Sequence, residues 1–393
     1  MPIGGIWKGA CVIDDPNSHR DTPLARQLKE SIRRDGPMTI QTYMSRCLWD
    51  QRFGYYRRQR VFGASGDFIT AAEISQVFGE LIGVWAGVVW QNVLGSPGTV
   101  TLAEYGPGRG TMMRDALRAA RVVPGFAEAV RPYLIEASPA LSEVQSATLA
   151  DFRSKIAWGS QLDEFSPPAI ILANEFLDAW PVAQWVKTAK GWCIRGVSLD
   201  RSGALQFDAL DGDCPREAFE ALLPDAPPGA VIETQRLDQL ADALQALMQR
   251  GPIVLLLIDY GHTVAAAGDT LQAVRDHKYE SPLASPGEAD LTVHVNFYDL
   301  ASTLHRAGLA LDGPVTQAEF LGAVGIVERA SRLMAANPQR AGEIEAGVAR
   351  LLAPNGMGSR FKVLAARSPG LPPLPGFRAA AVTAGSSGQT GGR

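Results

Sequence analysis

The sequence predicts an α/β fold whose sheet is mostly parallel. The strongest observation is the stretch 100–111 (VTLAEYGPGRGT), in which an apolar strand runs into three glycines at alternate positions. A helix pattern with one apolar face follows at once, from Met112 to Ala120. A second observation is that strand and helix patterns keep alternating as far as Pro181, which is typical of parallel sheets with right-handed crossovers.

Composition is that of a globular protein and argues against several functions. Of the 393 residues, 46% are hydrophobic and 20% are charged, and the formal net charge is −4, so nucleic-acid binding through bulk charge is not expected. The four cysteines form no C-x-x-C pair, which argues against a zinc site or a disulfide framework. The longest apolar run, 253–258, is too short to insert across a membrane, and the N-terminus lacks the apolar segment of a signal peptide.

The first 98 residues are predicted to form a helical cover. Apolar residues recur at helical spacing over 23–34, again from about Thr39, and over a longer stretch from about Glu73 to Leu94. A short loop, GDFIT at 66–70, precedes the third of these helices.

The sheet is predicted to occupy residues 99–366 together with two insertions. Apolar runs predict its further strands at 133–135, 155–158, 169–173 and 253–259. An insertion of about 183–235 carries alternating apolar and polar residues, which predict an antiparallel hairpin from strands at 184–187, 192–199 and 205–210.

The C-terminal third is predicted to hold a functional loop and the end of the sheet. The second insertion, about 263–296, has little periodicity and many Gly, Pro, Asp and His residues, so we expect a long irregular loop with a functional role. Periodicity predicts helices at 297–307, 316–321, 325–334 and 339–352, and strands at 308–311 and 361–365. Residues 367–393 are rich in Pro, Gly, Ala and Ser and are predicted to be a disordered tail.

The glycine turn carries the first functional prediction. Gly106, Gly108 and Gly110 permit positive φ and let a ligand lie against bare backbone, beside the free N–H groups of a helix N-terminus. A dinucleotide fingerprint would need another glycine or alanine where Thr111 stands, and the G-K-[ST] of a phosphate loop is absent. With Glu104 before it, the turn predicts a different nucleotide-like ligand; the alternative is a turn that only shapes a strand–helix corner.

Two later strand ends are candidates for the rest of that ligand. Glu136 ends the second strand, where a carboxylate can accept hydrogen bonds from both ribose hydroxyls. The alternative is a solvated carboxylate. Gln161, Leu162 and Asp163 follow the third strand, and topology alone puts them near an adenine.

The NEFLD stretch at 174–178 ends the fourth strand, where a second substrate would approach. If the nucleophile is a guanidinium nitrogen, a carboxylate can hold its planar fork and draw charge away from the attacking nitrogen. Glu175 is the first candidate and Asp178 the second, with helix capping as the alternative for both. His262 could accept a proton or be structural. No histidine pair has metal-ligand spacing, so no metal site is predicted.

Several motifs in the same order resemble the MidA-type family, the S-adenosylmethionine-dependent methyltransferases that assist assembly of respiratory complex I. The motifs are GDFITAAEISQVFGE (66–80), EYGPGRGT (104–111), NEFLDAWPV (174–182), DYGH (259–262) and PGEADLTVHVNF (286–297). The resemblance covers most of residues 23–366. One departure is Ala71-Ala72, where the family usually has Ser-Pro, and it bears on the rigidity of that loop.

The resemblance implies a Rossmann-like methyltransferase sheet that uses S-adenosyl-L-methionine. It implies methylation of an arginine on a complex I subunit, giving symmetrically dimethylated arginine. It also implies that the loop 66–73, with Asp67 and Thr70, closes over the cofactor. The residues expected to hold the cofactor are Glu104, Gly106, Gly108, Gly110, Glu136, Leu162 and Asn174.

Two other functions stay open at this point. One is methylation of a small metabolite, although the large insertions favour a macromolecular acceptor. The other is a catalytically silent assembly chaperone that keeps the cofactor fold. We expect a bacterial member in the cytoplasm, with the mitochondrial matrix as the alternative location.

Overall fold

The computed structural model describes residues 20–57, 70–264 and 267–377. The predicted cofactor residue Asp67 lies outside these ranges, as do the other residues of 66–69 in the loop 66–73. The helices are α1 (Pro23–Asp35), α2 (Ile40–Trp49), α3 (Ala71–Ile74), α4 (Gln76–Asn92), α5 (Thr111–Ala119), α6 (Phe126–Ala129), α7 (Pro139–Thr148), α8 (Arg216–Leu222), α9 (Asp238–Arg250), α10 (Phe297–Arg306), α11 (Gln317–Ala323), α12 (Ile326–Ala336), α13 (Ala341–Leu352) and α14 (Met357–Arg360). The strands are β1 (Met38–Thr39), β2 (Val100–Tyr105), β3 (Val130–Ile135), β4 (Ala157–Gly159), β5 (Ala169–Asn174), β6 (Val182–Thr188), β7 (Gly191–Leu199), β8 (Leu205–Leu210), β9 (Val231–Gln235), β10 (Ile253–His262), β11 (Gln272–Arg275), β12 (Lys278–Glu280), β13 (Asp290–Thr292), β14 (Val295–Asn296), β15 (Ala310–Thr316) and β16 (Phe361–Arg367).

Hydroxyl side chains set where the N-terminal helices begin. Thr22 caps α1 by accepting from the N–H of Ala25, and Thr39 caps α2 in the same way. The helix predicted from about Glu73 to Leu94 is confirmed over Gln76–Asn92, but its first residues belong to a separate helix. Ser75 is extended (φ −154°, ψ 127°) and its hydroxyl caps α4, so α3 stands as a separate turn beside the cavity described below.

The main sheet has the order β4-β3-β2-β5-β10-β16-β15, with β14 added beside the end of β10. Neighbouring strands pair in parallel from β4 to β10, while β16 is antiparallel to both of its neighbours. This confirms the predicted mostly parallel sheet. The strand order reverses between β2 and β5, which opens a crevice at their carboxyl ends.

Both faces of this sheet are buried, as the continuous apolar strands require. Ile170 and Leu172 of β5 pack with α4 and α5 on one face. Ile171 and Ala173 point to the other face and pack with α9 and α10. The side chains alternate because successive residues of a strand project to opposite sides.

A second, antiparallel sheet confirms the predicted hairpin and extends it. Strands β6, β7 and β8 lie within about two residues of their predicted positions, and β1 and β9 join them. Neither β1 nor β9 was predicted from the sequence. The helix α2 packs on this sheet and faces the crevice of the main one.

Two C-terminal predictions are corrected. The segment expected to be an irregular loop holds the three-stranded sheet β12-β11-β13. Its tight turn uses Asp276 and His277 at positive φ (49° and 61°), a role usually signalled by Asn-Gly. The predicted tail is packed over 368–377, where Leu374 is buried and the Trp85 indole donates to the Pro375 carbonyl. The remainder of the tail lies outside the described residues.

Within the described ranges, none of the helices has the length and apolar character to cross a bilayer.

Candidate active site

A cavity of about 820 Å³ lies at the carboxyl ends of the central strands. It occupies the crevice where the strand order reverses, the usual ligand position in an open α/β sheet. Its walls come from the glycine turn, the ends of β3 and β5, and the helices α2 and α3.

The glycine turn forms the floor of this cavity. Gly106, Gly108 and Gly110 all have positive φ (69°, 53° and 80°), a conformation that L-residues with a side chain rarely adopt. A Cβ atom on Gly106 would lie 2.5 Å from the ring of Phe176. Backbone conformation therefore favours glycine at all three positions, and at Gly106 the lack of space does so as well.

Glu104 is the last residue but one of β2, and it lies inside the protein beside the cavity. The residue is 4% exposed, and the backbone N–H of Met113 donates to its carboxyl. Its Oε2 has no hydrogen-bond partner among the described residues. Burial raises the pKa of Glu104 to about 8. A cationic group in the cavity would satisfy this oxygen and favour the ionised form.

Glu136 is held in place at the end of β3. Its Oε1 accepts from the backbone N–H of Ser138 at 2.7 Å, and its Oε2 accepts from Nε2 of Gln145 at 3.0 Å. Burial raises the pKa of Glu136, and these hydrogen bonds oppose the rise. The structure thus brings the predicted carboxylate to the cavity, with a glutamine partner that the sequence reasoning missed.

Of Gln161, Leu162 and Asp163, which were predicted to lie near the adenine, the structure brings one to the cavity. Leu162 is 3% exposed and packs in the core with Tyr133 and Phe165, rather than lining the cavity. Gln161 lines it, together with Ser160, which was not predicted; Asp163 is not among the described residues that line it. The apolar side chain turns inward because its segment is a short 3₁₀ turn with one buried face.

Glu175 lies in the cavity wall just after β5, with φ +50°. Its Oε1 accepts from the backbone N–H of Ala71 at 2.7 Å and from Nδ2 of Asn174 at 3.2 Å. Burial raises the pKa of Glu175 to about 7, and the neighbouring Asp178 contributes to the rise. A non-glycine residue in this conformation costs energy and is typical of functional sites.

Asp178 sits behind the cavity wall, where burial raises its pKa to about 6. The turn that carries it is fixed by Asp259, whose Oδ2 accepts from the backbone N–H groups of Phe176, Leu177 and Asp178 at 2.9 to 3.2 Å. Burial and the two neighbouring carboxylates raise the pKa of Asp259. No local pattern signals this role of Asp259, since its partners lie 81 to 83 positions away.

His262 is not brought into the cavity. It lies near the open end of β10, where its Nδ1 is 2.8 Å from the carbonyl of Val264. Among the described residues, those that line the cavity do not include it. The geometry favours the structural alternative over the predicted catalytic one.

The segment before α4 closes one side of the cavity. Thr70, Ala72 and Glu73 line it, and the hydroxyl of Thr111 donates to Oε1 of Glu73 at 2.6 Å. The hydrogen bond from Thr111 joins α3 to α5, the helix that follows the glycine turn, and the hydrogen bond from Ala71 joins α3 to Glu175.

Within the described part of the chain, no group of three or more His, Cys, Asp and Glu side chains could hold a metal ion.

Aromatic side chains line the wider half of the cavity. Trp49 and Tyr56 are stacked with ring centroids 4.7 Å apart, and Tyr105 and Phe176 are stacked at 4.1 Å. Trp180 meets Phe176 edge-on at 5.7 Å. The cavity therefore joins a polar half around the glycine turn to an aromatic half near Glu175.

The model of a family described as "Putative S-adenosyl-L-methionine-dependent methyltransferase" matches residues 81–315. The chain belongs to this family, the MidA-type methyltransferases.

Curated relatives and a solved structure extend the match over almost the whole chain. The mitochondrial protein arginine methyltransferase NDUFAF7 of Mus musculus is 33% identical over 401 residues, which covers 92% of this chain and 88% of that protein. The human protein of the same name is 32% identical over 400 residues, which covers 92% of this chain and 87% of the human protein. A likely methyl transferase from Burkholderia thailandensis, solved with S-adenosyl-homocysteine bound, has a TM-score of 0.77 at 28% identity, covering 91% of this chain and 93% of that one.

The cofactor of this methyltransferase is S-adenosyl-L-methionine, and the residues of the cavity fit it. The buried Oε2 of Glu104, which no described residue satisfies, matches a ligand that carries an ammonium group. The turn offers bare backbone, because a Cβ on Gly106 has no room. When bound, the cofactor supplies an electrophilic methyl group on a positively charged sulfur.

Proposed function

We propose that this methyltransferase acts on an arginine guanidinium nitrogen of a protein, and that the protein is a subunit of respiratory complex I. The observation that carries the arginine assignment is Glu175, a carboxylate set in strained backbone at the wall of the cofactor cavity. The names of the curated relatives, which are protein arginine methyltransferases, support it. The complex I assignment rests on the family resemblance of the sequence motifs.

The cofactor half of the cavity has a residue for each part of the ligand. Glu104 would accept from the ammonium group, and Glu136 keeps lone pairs free for the ribose hydroxyls after its two internal hydrogen bonds. Asn174 has a buried Oδ1 without a partner among the described residues. Gln161, which was predicted to lie near the adenine, lines the cavity together with Ser160 and Thr70.

Glu175 has the geometry to orient a guanidinium group. Two donors already hold its Oε1, so the carboxylate cannot swing away from the wall. A guanidinium cation that approaches it would lower the pKa of Glu175 and be held by charge-assisted hydrogen bonds. The carboxylate would then keep positive charge on the nitrogens that it contacts and leave the remaining nitrogen more nucleophilic.

The aromatic half of the cavity suits the flat, weakly hydrated guanidinium group. Trp49 and Tyr56 come from the N-terminal region, while Phe176 and Trp180 follow β5, so the substrate side chain would enter between the two groups. Aromatic faces attract cations, and arginine stacks on them better than lysine does.

We keep the bacterial cytoplasm as the predicted location, with the mitochondrial matrix as the alternative.

The test is transfer of a labelled methyl group from S-adenosyl-L-methionine to purified complex I subunits, followed by mass spectrometry of the product. We expect label on arginine, as the symmetrically dimethylated form. Label on another residue type would overturn the arginine assignment, and label on small metabolites alone would favour the small-molecule alternative. Binding to a subunit without any transfer would favour the chaperone.

Glu175→Gln is the matched variant for this assay. It keeps the size and the acceptor oxygen but removes the charge, so transfer should fall by about 100-fold or more while affinity for S-adenosyl-homocysteine stays within about threefold. Full activity of this variant would remove Glu175 from catalysis.

A further inference from the structure

The side chain of Gln145 joins two parts of the cofactor site. Its Nε2 donates to the carbonyl of Gly108 at 2.8 Å and to Oε2 of Glu136 at 3.0 Å. Its Oε1 accepts from the indole N–H of Trp158 at 3.0 Å. The residue is fully buried on α7, and it is not among the described residues that line the cavity.

Only glutamine satisfies this set of partners. Two of the three neighbours are acceptors and the third is a donor, so the network itself fixes which end of the amide is the nitrogen. Glutamate has no N–H to offer to Gly108 or Glu136. Asparagine is one methylene shorter, and methionine fills the same space without any strong hydrogen bond.

The surrounding backbone is built to bring Gln145 to this point. A Cβ on Gly110 would lie 3.1 Å from Leu149 and 3.6 Å from the Cα of Gln145, so the glycine lets α7 approach the turn closely. At the start of α7, the N–H of Ser138 is bonded to Glu136. The helix is therefore docked against the glycine turn and against the end of β3.

We propose that Gln145 is a positioning residue for the cofactor. It holds the carboxylate of Glu136 at a fixed separation from the glycine turn, so that the ribose and the amino-acid end of the ligand meet their partners together. The proposal rests on the ribose role given to Glu136 above, and it is independent of which group accepts the methyl.

The test is a double-mutant cycle on the affinity for S-adenosyl-homocysteine, measured by calorimetry on the full chain. Gln145→Met should weaken binding by about 10- to 100-fold, the range for losing hydrogen bonds to a charged group. In the background of Glu136→Gln, the same change should weaken binding by a factor at least about threefold smaller, because the carboxylate that it positions is gone and only the bond to Gly108 is still lost.

Gln184→Met is the matched control. Gln184 is also buried (1% exposed), and it donates to the half-buried Glu233 at 2.6 Å, but it lies in the antiparallel sheet and is not among the described residues that line the cavity. This control should lower the thermal midpoint and leave the dissociation constant within about twofold. Trp158→Phe, which keeps Gln145 but frees its Oε1, gives a second and milder variant that should weaken binding by about three- to tenfold.

Two outcomes would overturn the proposal. One is that Gln145→Met weakens binding no more than Gln184→Met does. The other is that the effects of Gln145→Met and Glu136→Gln on affinity multiply, as expected of two independent structural losses. A failure to methylate arginine would leave all of these binding results unchanged, so the two proposals fail separately.

Discussion

Cofactor binding should release a proton from Glu104. A carboxyl with a pKa of about 8 is about 90% protonated at pH 7. Pairing with the ammonium group of the cofactor favours the ionised form, so binding at pH 7 should release close to one proton. At pH 7, ionising Glu104 before binding costs about 1.4 kcal/mol. The affinity for the cofactor should therefore rise by about tenfold per pH unit below pH 8 and level off above pH 8.

Calorimetry can count this proton. Titrations with S-adenosyl-homocysteine at pH 7, in buffers with different ionisation enthalpies, give the number of protons released from the slope of the observed enthalpy. Glu104→Gln is the matched variant, because it keeps the shape and cannot ionise. We expect about 0.9 proton for the wild type and about 0.1 for the variant. Equal proton release in both proteins, or an affinity that does not change with pH, would refute the reasoning.

The raised pKa of Glu104 should also make the free energy of unfolding depend on pH. The folded state holds a raised pKa of about 8 against an ordinary value of 4.5, so between those values it binds more protons than the unfolded chain. The contribution of Glu104 to the free energy of unfolding therefore falls as the pH rises through that window. Denaturant unfolding should show a larger gain from Glu104→Gln at pH 8 than at pH 5. An equal gain in the free energy of unfolding at pH 5 and pH 8 would contradict the raised pKa of the buried Glu104 carboxyl.

Three further predictions concern the turn, the carboxylate network and the aromatic half. Gly106→Ala should weaken binding of S-adenosyl-homocysteine by more than about tenfold, because the added Cβ would lie 2.5 Å from Phe176. Gly95→Ala is the control, since Gly95 also has positive φ (+75°) but open space around it. This control should lower the free energy of unfolding by about 1–2 kcal/mol and leave the affinity unchanged. Asp259→Asn should lower the free energy of unfolding in urea by about 1–3 kcal/mol, because both carboxyl oxygens accept from backbone N–H groups and an amide has only one acceptor oxygen. An unchanged midpoint would contradict the capping role. Trp49→Ala should raise KM for an arginine peptide by about 3- to 30-fold, leaving affinity for S-adenosyl-homocysteine unchanged; an unchanged KM would remove Trp49 from the acceptor site.

The fold was largely predictable because its signals are local. The parallel strands are continuous apolar runs bounded by glycine and proline, and their helices repeat apolar residues at helical spacing. The elements that were missed have weak local patterns: β1 is two residues long, and the turn in the three-stranded sheet uses Asp276 and His277 at positive φ without a glycine. The break at Ser75 was missed because both sides of it continue one apolar helical pattern.

The sequence alone predicted the methyl donor, through motifs that resemble the MidA-type family, and the residues expected to hold this donor follow strand ends. Glu104, the three glycines and Glu136 could be assigned to one site from their positions in the chain, since parallel strands deliver their carboxyl ends to one edge. Tertiary structure alone decided how these groups are held. Gln145 reaches Gly108 across 37 positions, and Ala71 reaches Glu175 across 104. It also turned Leu162 into the core and left His262 outside the cavity. Such contacts depend on how whole elements pack, and no local pattern in the chain encodes the distance between two elements.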